Sequence, residues 1–188
     1  MNEYLMNPLV WAGAIFVLLV GIVWFWRRLV RMRSVPYRLE SAVQSRKSNF
    51  LIPNGEGGEI FIEHALLTST GVVLVDVKDI SGNVFGSDGM DDWTVFDGKA
   101  RYTITNPQYG LFDRMAAMKS LMPDVPVSGF VAFTKLAMFP KGRPENTVMF
   151  DALVSELGVR NTGGQEAAIG LWKSHWDAME SQASESDV

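Results

Sequence analysis

The chain of 188 residues contains no cysteine and only two histidines. Without cysteine it can have no disulfide framework, no cysteine nucleophile and no thiolate metal site. Basic residues are scarce as well. Residues 1–26 carry a formal charge of −1 and residues 27–47 carry +6, so the net charge of −4 leaves −9 over residues 48–188. This charge distribution excludes a uniformly basic nucleic-acid coat protein, and an apolar content of 47% excludes a collagen-like or disordered chain.

Charged side chains are also missing from every position between Tyr4 and Trp26. Within that stretch, the apolar run from Leu9 to Trp26 would form a helix about 27 Å long at roughly 1.5 Å per residue, close to the hydrocarbon thickness of a bilayer. Tryptophans stand near both of its ends, where the membrane–water interface favours indole rings. We therefore expect an uncleaved transmembrane helix. The alternative is a buried core helix, although such a helix normally shows a polar stripe.

The charges on either side of this run predict its orientation. Four arginines lie between Arg27 and Arg33, whereas only Glu3 precedes the run. The positive-inside rule then predicts a single-pass protein of the cell (inner) membrane with its amino terminus outside and its main domain in the cytoplasm. This basic collar could also contact anionic lipid headgroups, but a topology signal is sufficient to explain it.

Downstream of the collar, the sequence predicts one α/β (α+β) domain in which a mixed β-sheet is flanked by helices. The two runs GEGGEIFIEHALL and GVVLVDVKD, separated by a Thr-Ser-Thr-Gly turn, predict an antiparallel hairpin. Apolar patterns further on predict a strand over Val127–Phe133 and helices over residues 109–122, 146–157 and 165–179, with Gly158 ending the second of these helices. The predicted organisation is an anchor at 1–33, a linker and short helix at 34–48, the main domain at 49–160, a carboxyl-terminal helix at 161–181 and a disordered tail at 182–188.

Three ionisable residues of the predicted hairpin carry the strongest chemical signal. Glu63 lies in the first strand, and the second strand ends in Asp76-Val77-Lys78. Side chains two apart on a strand share a face, so Asp76 and Lys78 lie together, and the adjacent strand can bring Glu63 beside them. Burying such charges costs several kcal/mol per ion unless they are paired or bind a metal. A hard cation such as Mg²⁺ would accept the two carboxylates, although a surface ion pair is the ordinary explanation of an isolated D-x-K.

The order of motifs around these residues resembles the nuclease-related domain (NERD) family, a branch of the PD-(D/E)XK nuclease-like superfamily. The resemblance covers roughly Phe50 to Phe133. The residues that carry it are Glu63-His64, Gly71, Asp76, Lys78, Gly82, Gly86, Trp93 and Asn106-Pro107. It implies a restriction-endonuclease-like mixed sheet and a Mg²⁺-dependent or Mn²⁺-dependent nuclease site, with Glu63, Asp76 and Lys78 as catalytic residues.

The chain departs from the family pattern at its acidic positions. The family usually has Asp in place of Glu63 and Glu in place of Asp76, so both carboxylates are kept with exchanged lengths. An upstream acidic residue is also expected, which makes Glu40 a third candidate metal ligand beside Glu63 and Asp76, with Glu56 and Glu59 as weaker alternatives. Because alternation turns His64 away from Glu63, we favour a structural role for it over metal ligation.

Two functions follow as hypotheses. The first is a membrane-anchored, metal-dependent nuclease or DNA-processing enzyme at the cytosolic face, to which Lys99, Arg101, Arg114 and Lys119 could add a local basic patch for the nucleic acid. The second is a catalytically inactive scaffold that keeps the nuclease fold and binds a protein partner through its carboxyl-terminal helix.

Overall fold

The computed structural model describes residues 15, 17–27, 34–43, 45–161 and 166–185. The chain divides into two compact units, Met1–Arg38 and Leu39–Val188. In the first unit, residues 17–27 form a helix, α1. The predicted span from Leu9 to Trp26 lies partly outside the described residues. No helix within the described part of the chain is both long and apolar enough to cross a membrane.

The chain then forms four helices and ten strands within the described residues. The helices are α2 (Val35–Glu40), α3 (Pro107–Leu121), α4 (Phe150–Asn161) and α5 (Glu166–Gln182). The strands are β1 (Ser45–Pro53), β2 (Glu59–Thr68), β3 (Gly71–Lys78), β4 (Gly82–Phe85), β5 (Asp92–Asp97), β6 (Ala100–Thr105), β7 (Val127–Phe133), β8 (Ala137–Met138), β9 (Thr147–Met149) and β10 (Ser184–Glu185).

The larger sheet is mixed and has the strand order β10-β1-β2-β3-β7-β9. Strands β1, β2 and β3 pair antiparallel, as the predicted hairpin requires, whereas β7 runs parallel to both β3 and β9. Strand β3 is buried from Gly71 to Asp76, in accord with its continuous apolar sequence and central place. The α/β class with a mixed sheet flanked by helices is thus confirmed.

A second sheet, β6-β5-β4-β8, forms from the segment that follows β3 and from the short strand β8. It too is mixed, because β4 pairs antiparallel with β5 and parallel with β8. The sequence predicts only one sheet. The second sheet forms because β4, β5 and β6 pair with one another and not with β3, and β8 adds an edge strand from far along the chain.

Helix α3 packs against the larger sheet and so determines which side chains cover its central strands. Leu111 and Met118 are fully buried on its inner face. Gly129 of β7 gives the helix room: a Cβ there would lie 2.8 Å from Leu111 and 2.7 Å from Met115. The close approach places the middle of α3 over the carboxyl-terminal half of β3.

Two predicted boundaries differ from the structure. The helix predicted from residue 146 begins as β9 and continues as α4 to Asn161, past Gly158. Gly158 is not among the residues with positive φ, so it does not provide the left-handed cap that would end the helix. Beyond Gln182, where a disordered tail is predicted, Ser184 and Glu185 pair with the edge of β1.

Candidate active site

The candidate site lies where β2 and β3 cease to pair. Their ladder extends from Thr68–Gly71 to His64–Val75, and Glu63 is the next residue beyond it. The backbone N–H of Val77 donates a hydrogen bond of 3.0 Å to Glu63 Oε2. The Glu63 side chain therefore accepts a hydrogen bond from the backbone of β3 beyond the last paired residues. This bond holds its carboxylate close to the strand end that carries Asp76 and Lys78.

Asp76 and Lys78 lie on the face of β3 that α3 covers. They alternate with Val75 and Val77 and continue the row of Val72 and Leu74, which belong to the core cluster beneath the helix. The Asp76 side chain is only 4% exposed, whereas Lys78 is half-buried. The structure thus brings Glu63, Asp76 and Lys78 to one face at one end of the β2–β3 pair.

A fourth charged residue, Arg114 of α3, completes this cluster. Its Nη1 donates to Asp76 Oδ2 over 2.9 Å, and its Nε donates to the carbonyl oxygen of Phe61 over 2.8 Å. The sequence predicts for Arg114 only a place in a local basic patch. A usable signal was Gly110 inside the helix, since an interior glycine costs about 1 kcal/mol relative to alanine. A Cβ at Gly110 would lie 2.7 Å from Arg114 Nη1, so the guanidinium occupies the space that the glycine leaves.

The electrostatics of the two carboxyl groups reflect their burial. Desolvation raises the pKa of Glu63, and the Val77 N–H and the Lys78 ammonium oppose that rise. Desolvation likewise raises the pKa of Asp76, against the opposing charges of Arg114 and Lys78. Because desolvation disfavours both carboxylate anions, a positive charge bound next to them would stabilise their ionised forms.

The uncommitted atoms of the cluster fit a hard divalent cation. Within the described residues, Glu63 Oε1 and Asp76 Oδ1 accept no hydrogen bond, and Lys78 Nζ makes neither a hydrogen bond nor an ion pair. Mg²⁺ is commonly bound through one or two carboxylates while it keeps several waters. Two oxygens on neighbouring strands meet that requirement, although no group of three or more His, Cys, Asp or Glu residues gathers anywhere in the described chain.

Glu40, the third predicted metal ligand, lies elsewhere. Its carboxylate is 69% exposed and 3.9 Å from Arg46, and it borders a polar pocket that also includes Lys173 and Glu180. The structure therefore does not bring Glu40 to Glu63 and Asp76. The strand register gives the reason: β1, which follows Glu40, begins at Ser45 opposite Leu67 of β2, and Leu67 pairs with Val72 at the start of β3, the end away from Asp76.

His64 is buried on the opposite side of β2. Its Nδ1 lies 2.7 Å from Ser48 Oγ, which accepts a 2.7 Å hydrogen bond from Arg46 Nη1. Burial, reinforced by the Arg46 charge, lowers the pKa of His64 to about 4, so the ring is neutral at pH 7. This arrangement provides His64 with a structural partner, as the sequence favours.

A comparison with known protein families identifies the chain. The family described as "NERD: Nuclease-related domain" matches residues 33–134, more than half of the sequence. The chain belongs to the NERD family. The match ends at the turn after β7 and includes Glu63, Asp76, Lys78 and Arg114. No curated protein and no solved structure matches the chain.

Other NERD residues named above are structural. Gly86 lies against the indole of Trp93, and Trp93 stacks on Phe133 at a ring-centroid distance of 6.2 Å. Asn106 caps α3 by accepting a 2.9 Å hydrogen bond from the Gln108 N–H, while its Nδ2 donates to the Met90 carbonyl oxygen. These contacts position α3, and through it Arg114, on the end of β3.

Proposed function

We propose that this NERD protein is a metal-dependent nuclease that acts on DNA. The observation that supports this most strongly is the pair of neighbouring carboxylates, half-buried Glu63 and buried Asp76, each with one oxygen that accepts no hydrogen bond, beside the unpaired ammonium of Lys78. The cluster lies inside the NERD match, and a nuclease-related domain suggests a nuclease-like function. The mixed sheet flanked by helices supports the restriction-endonuclease-like fold that the resemblance implies.

In this proposal, Glu63 and Asp76 would hold Mg²⁺ or Mn²⁺. The cation would supply charge stabilisation at a phosphoryl oxygen and would lower the pKa of a bound water. Lys78 positions the attacking water or offsets charge that develops on the phosphate oxygens. The Val77 N–H holds the Glu63 carboxylate so that its remaining oxygen stays available.

Substitution at the acidic position of β3 tests this function. Asp76→Asn keeps the shape of the side chain but removes its charge, so we expect metal-dependent DNA cleavage to be abolished while the fold survives. Asp113→Asn is the matched control, because Asp113 is exposed on α3 and should leave activity unchanged. Cleavage of single-stranded and duplex DNA is measured with Mg²⁺ and with Mn²⁺. Full activity of the Asp76 variant would assign the reaction to another site or to a contaminant.

Removal of the lysine gives a second, independent test. Loss of one preorganised electrostatic stabiliser typically lowers kcat by about 100-fold or more, and we expect that loss for Lys78→Ala. Lys141→Ala, which removes an exposed charge between β8 and β9, serves as the control. If the unsubstituted protein cleaves neither DNA nor RNA with either metal, the inactive scaffold becomes the better interpretation.

We propose further that the apolar run from Leu9 to Trp26 anchors the protein in the cell membrane, with the NERD domain in the cytoplasm. The large apolar side chains at residues 17–26 are 45–70% exposed, a surface that lipid would cover. The protein should stay in the membrane fraction after a high-salt wash. A reporter enzyme that works only in the cytoplasm should be active when it is fused after Val188, and one that works only outside the cell should be inactive there. Release by salt, or a reporter active only outside the cell, would contradict the proposal.

A further inference from the structure

We propose that Arg114 contacts the substrate at this site, binding a phosphate oxygen of the DNA backbone through its Nη2 group. The inference rests on the proposed nuclease function and adds to it a residue that the sequence motif does not contain. It depends on three features: the hydrogen bonds that Arg114 makes, the room that Gly110 provides, and the charge around the site.

The hydrogen bonds of Arg114 leave one side of its guanidinium free. A guanidinium has five N–H donors in a planar fork. Nε is committed to the Phe61 carbonyl oxygen and Nη1 to Asp76 Oδ2, while Nη2 makes no hydrogen bond within the described residues. The side chain is 24% exposed, and Nη2 is not one of the fully buried atoms that lack a hydrogen-bond partner, so this amino group has access to solvent. Arg114 therefore presents unused donors beside the two carboxylates and Lys78.

The position of those donors is fixed before any ligand binds. The guanidinium is held at two atoms from two different strands, and it rests on Gly110 one turn earlier in α3. The helix is itself held against β7 through the Leu111 and Met115 contacts on Gly129. A donor held in this way loses little freedom when it binds a ligand, which is the condition for an effective electrostatic contact.

Charge is the third feature. Residues 48–188 carry a formal charge of −9, so a DNA phosphate meets little general attraction there. At the end of β3, by contrast, Lys78 and Arg114 flank the carboxylates. A lysine acts as a point charge, whereas the planar fork of an arginine also fixes the orientation of a phosphate. Arg114 would thereby supply the directional part of substrate binding.

The test measures DNA binding by the full chain purified in a mild detergent, with Ca²⁺ in place of Mg²⁺. The probe is a fluorescein-labelled 20-nucleotide DNA, used single-stranded and as a duplex, and the readout is fluorescence anisotropy. Arg114→Gln should raise Kd at least tenfold, and Arg114→Lys should give an intermediate increase because it keeps the charge but loses the fork. Arg143→Gln is the matched control: it removes the same charge from an exposed arginine between β8 and β9 and should change Kd less than twofold.

A second measurement separates substrate contact from a role in neutralising Asp76. Calorimetric titration with Mn²⁺ should show that Arg114→Gln binds the metal at least as tightly as the unsubstituted protein, because both carboxylates remain and a nearby positive charge is gone. Gly110→Ala should raise the Kd for DNA severalfold, since its methyl group displaces Nη1. Circular dichroism and thermal melting check that each variant folds. If Arg114→Gln does not fold, the Kd of Arg114→Lys is used to test the inference.

Three results would overturn the inference, and they are distinguishable. If Arg114→Gln binds Mn²⁺ more tightly but binds DNA within twofold of the unsubstituted protein, Arg114 only neutralises Asp76. If both Arg114 variants bind and cleave DNA normally while Asp76→Asn abolishes cleavage, the inference fails and the nuclease function stands. If the unsubstituted protein neither binds nor cleaves DNA, the proposed function and the inference fail together.

Discussion

At the scale of single residues, His64 shows how burial by the sheet opposes protonation. His64 Nδ1 lies 2.7 Å from the Ser48 hydroxyl, which accepts from Arg46 Nη1, and the other ring nitrogen, Nε2, faces the strand end. That nitrogen is 3.9 Å from Glu63 Oε1. Both the desolvated position and the Arg46 charge disfavour a second proton on the ring, and the pKa of His64 falls from its ordinary 6.5 to about 4.

This pKa shift predicts a loss of stability in acid. Below pH 6.5 the unfolded chain binds a proton at His64 that the folded chain does not accept until about pH 4. The free energy of unfolding should therefore decrease as pH falls through this range, with a contribution from His64 of up to about 3 kcal/mol. Urea denaturation between pH 7.5 and 4 measures it.

The control for this prediction is His64→Asn, whose amide can still form a hydrogen bond with Ser48 and does not titrate. Glu63 and Asp76, with raised pKa values, act in the opposite direction, so the comparison is between the pH profiles of the two proteins. The variant should show a shallower loss of stability towards low pH. Identical pH dependence would mean that His64 is not buried as a neutral ring.

Gly86 provides a second prediction at the residue scale. A Cβ at this position would lie 2.3 Å from the indole of Trp93, a fully buried side chain that cannot retreat. Gly86→Ala should lower the free energy of unfolding by about 2–3 kcal/mol, the usual cost of overpacking a core. Gly89→Ala, three residues later with open space around it, should change stability by less than about 1 kcal/mol. Equal denaturation midpoints for the two variants would contradict the packing argument.

At the scale of elements, α3 links the two sheets to the site. It begins with Asn106 and Pro107, and Asn106 also ties the helix start to the β4–β5 segment through Met90. The same helix carries Gly110 and Arg114 one and two turns further on. A shift in the position where α3 begins would therefore move the Arg114 guanidinium relative to Asp76.

Removing the cap tests this linkage. Asn106→Ala deletes the acceptor for the Gln108 N–H, which is buried, and the donor to the Met90 carbonyl, which is partly buried. We expect the free energy of unfolding to fall by about 1–2 kcal/mol, because a lost cap costs about 1 kcal/mol and the lost hydrogen bond to Met90 adds up to a similar amount. Thermal and urea denaturation measure the loss. A change below about 0.5 kcal/mol would show that α3 is held by its apolar face alone.

At the scale of the whole molecule, the charge distribution predicts how DNA binding responds to salt. If Lys78 and Arg114 supply the phosphate contacts, about two counterions are released, and Kd should rise only about tenfold between 50 and 200 mM salt. A titration of anisotropy against salt concentration measures the slope. A rise of a thousandfold or more would mean that a wider basic surface, such as residues 27–47, binds the DNA.

Much of this architecture follows from local sequence pattern. The continuous apolar run of β3 predicts a buried central strand, and the turn before it predicts the hairpin with β2. Alternation along β3 places Asp76 and Lys78 on one face because side-chain direction in a strand has a period of two. These features depend on residues within one hairpin, and so the sequence is sufficient to predict them.

Contacts between distant segments lie beyond such patterns. Arg114 meets Asp76 across 38 residues and Phe61 across 53, and β4 finds β8 only after β7 has returned to the larger sheet. Glu40 precedes β1 by five residues, yet tertiary packing leaves it beside Arg46 instead of the β3 carboxylates. By itself the sequence determined the hairpin and the shared face of its charged residues. Only the tertiary structure decided that the Arg114 guanidinium lies beside them, because its position depends on how α3 packs across the strands.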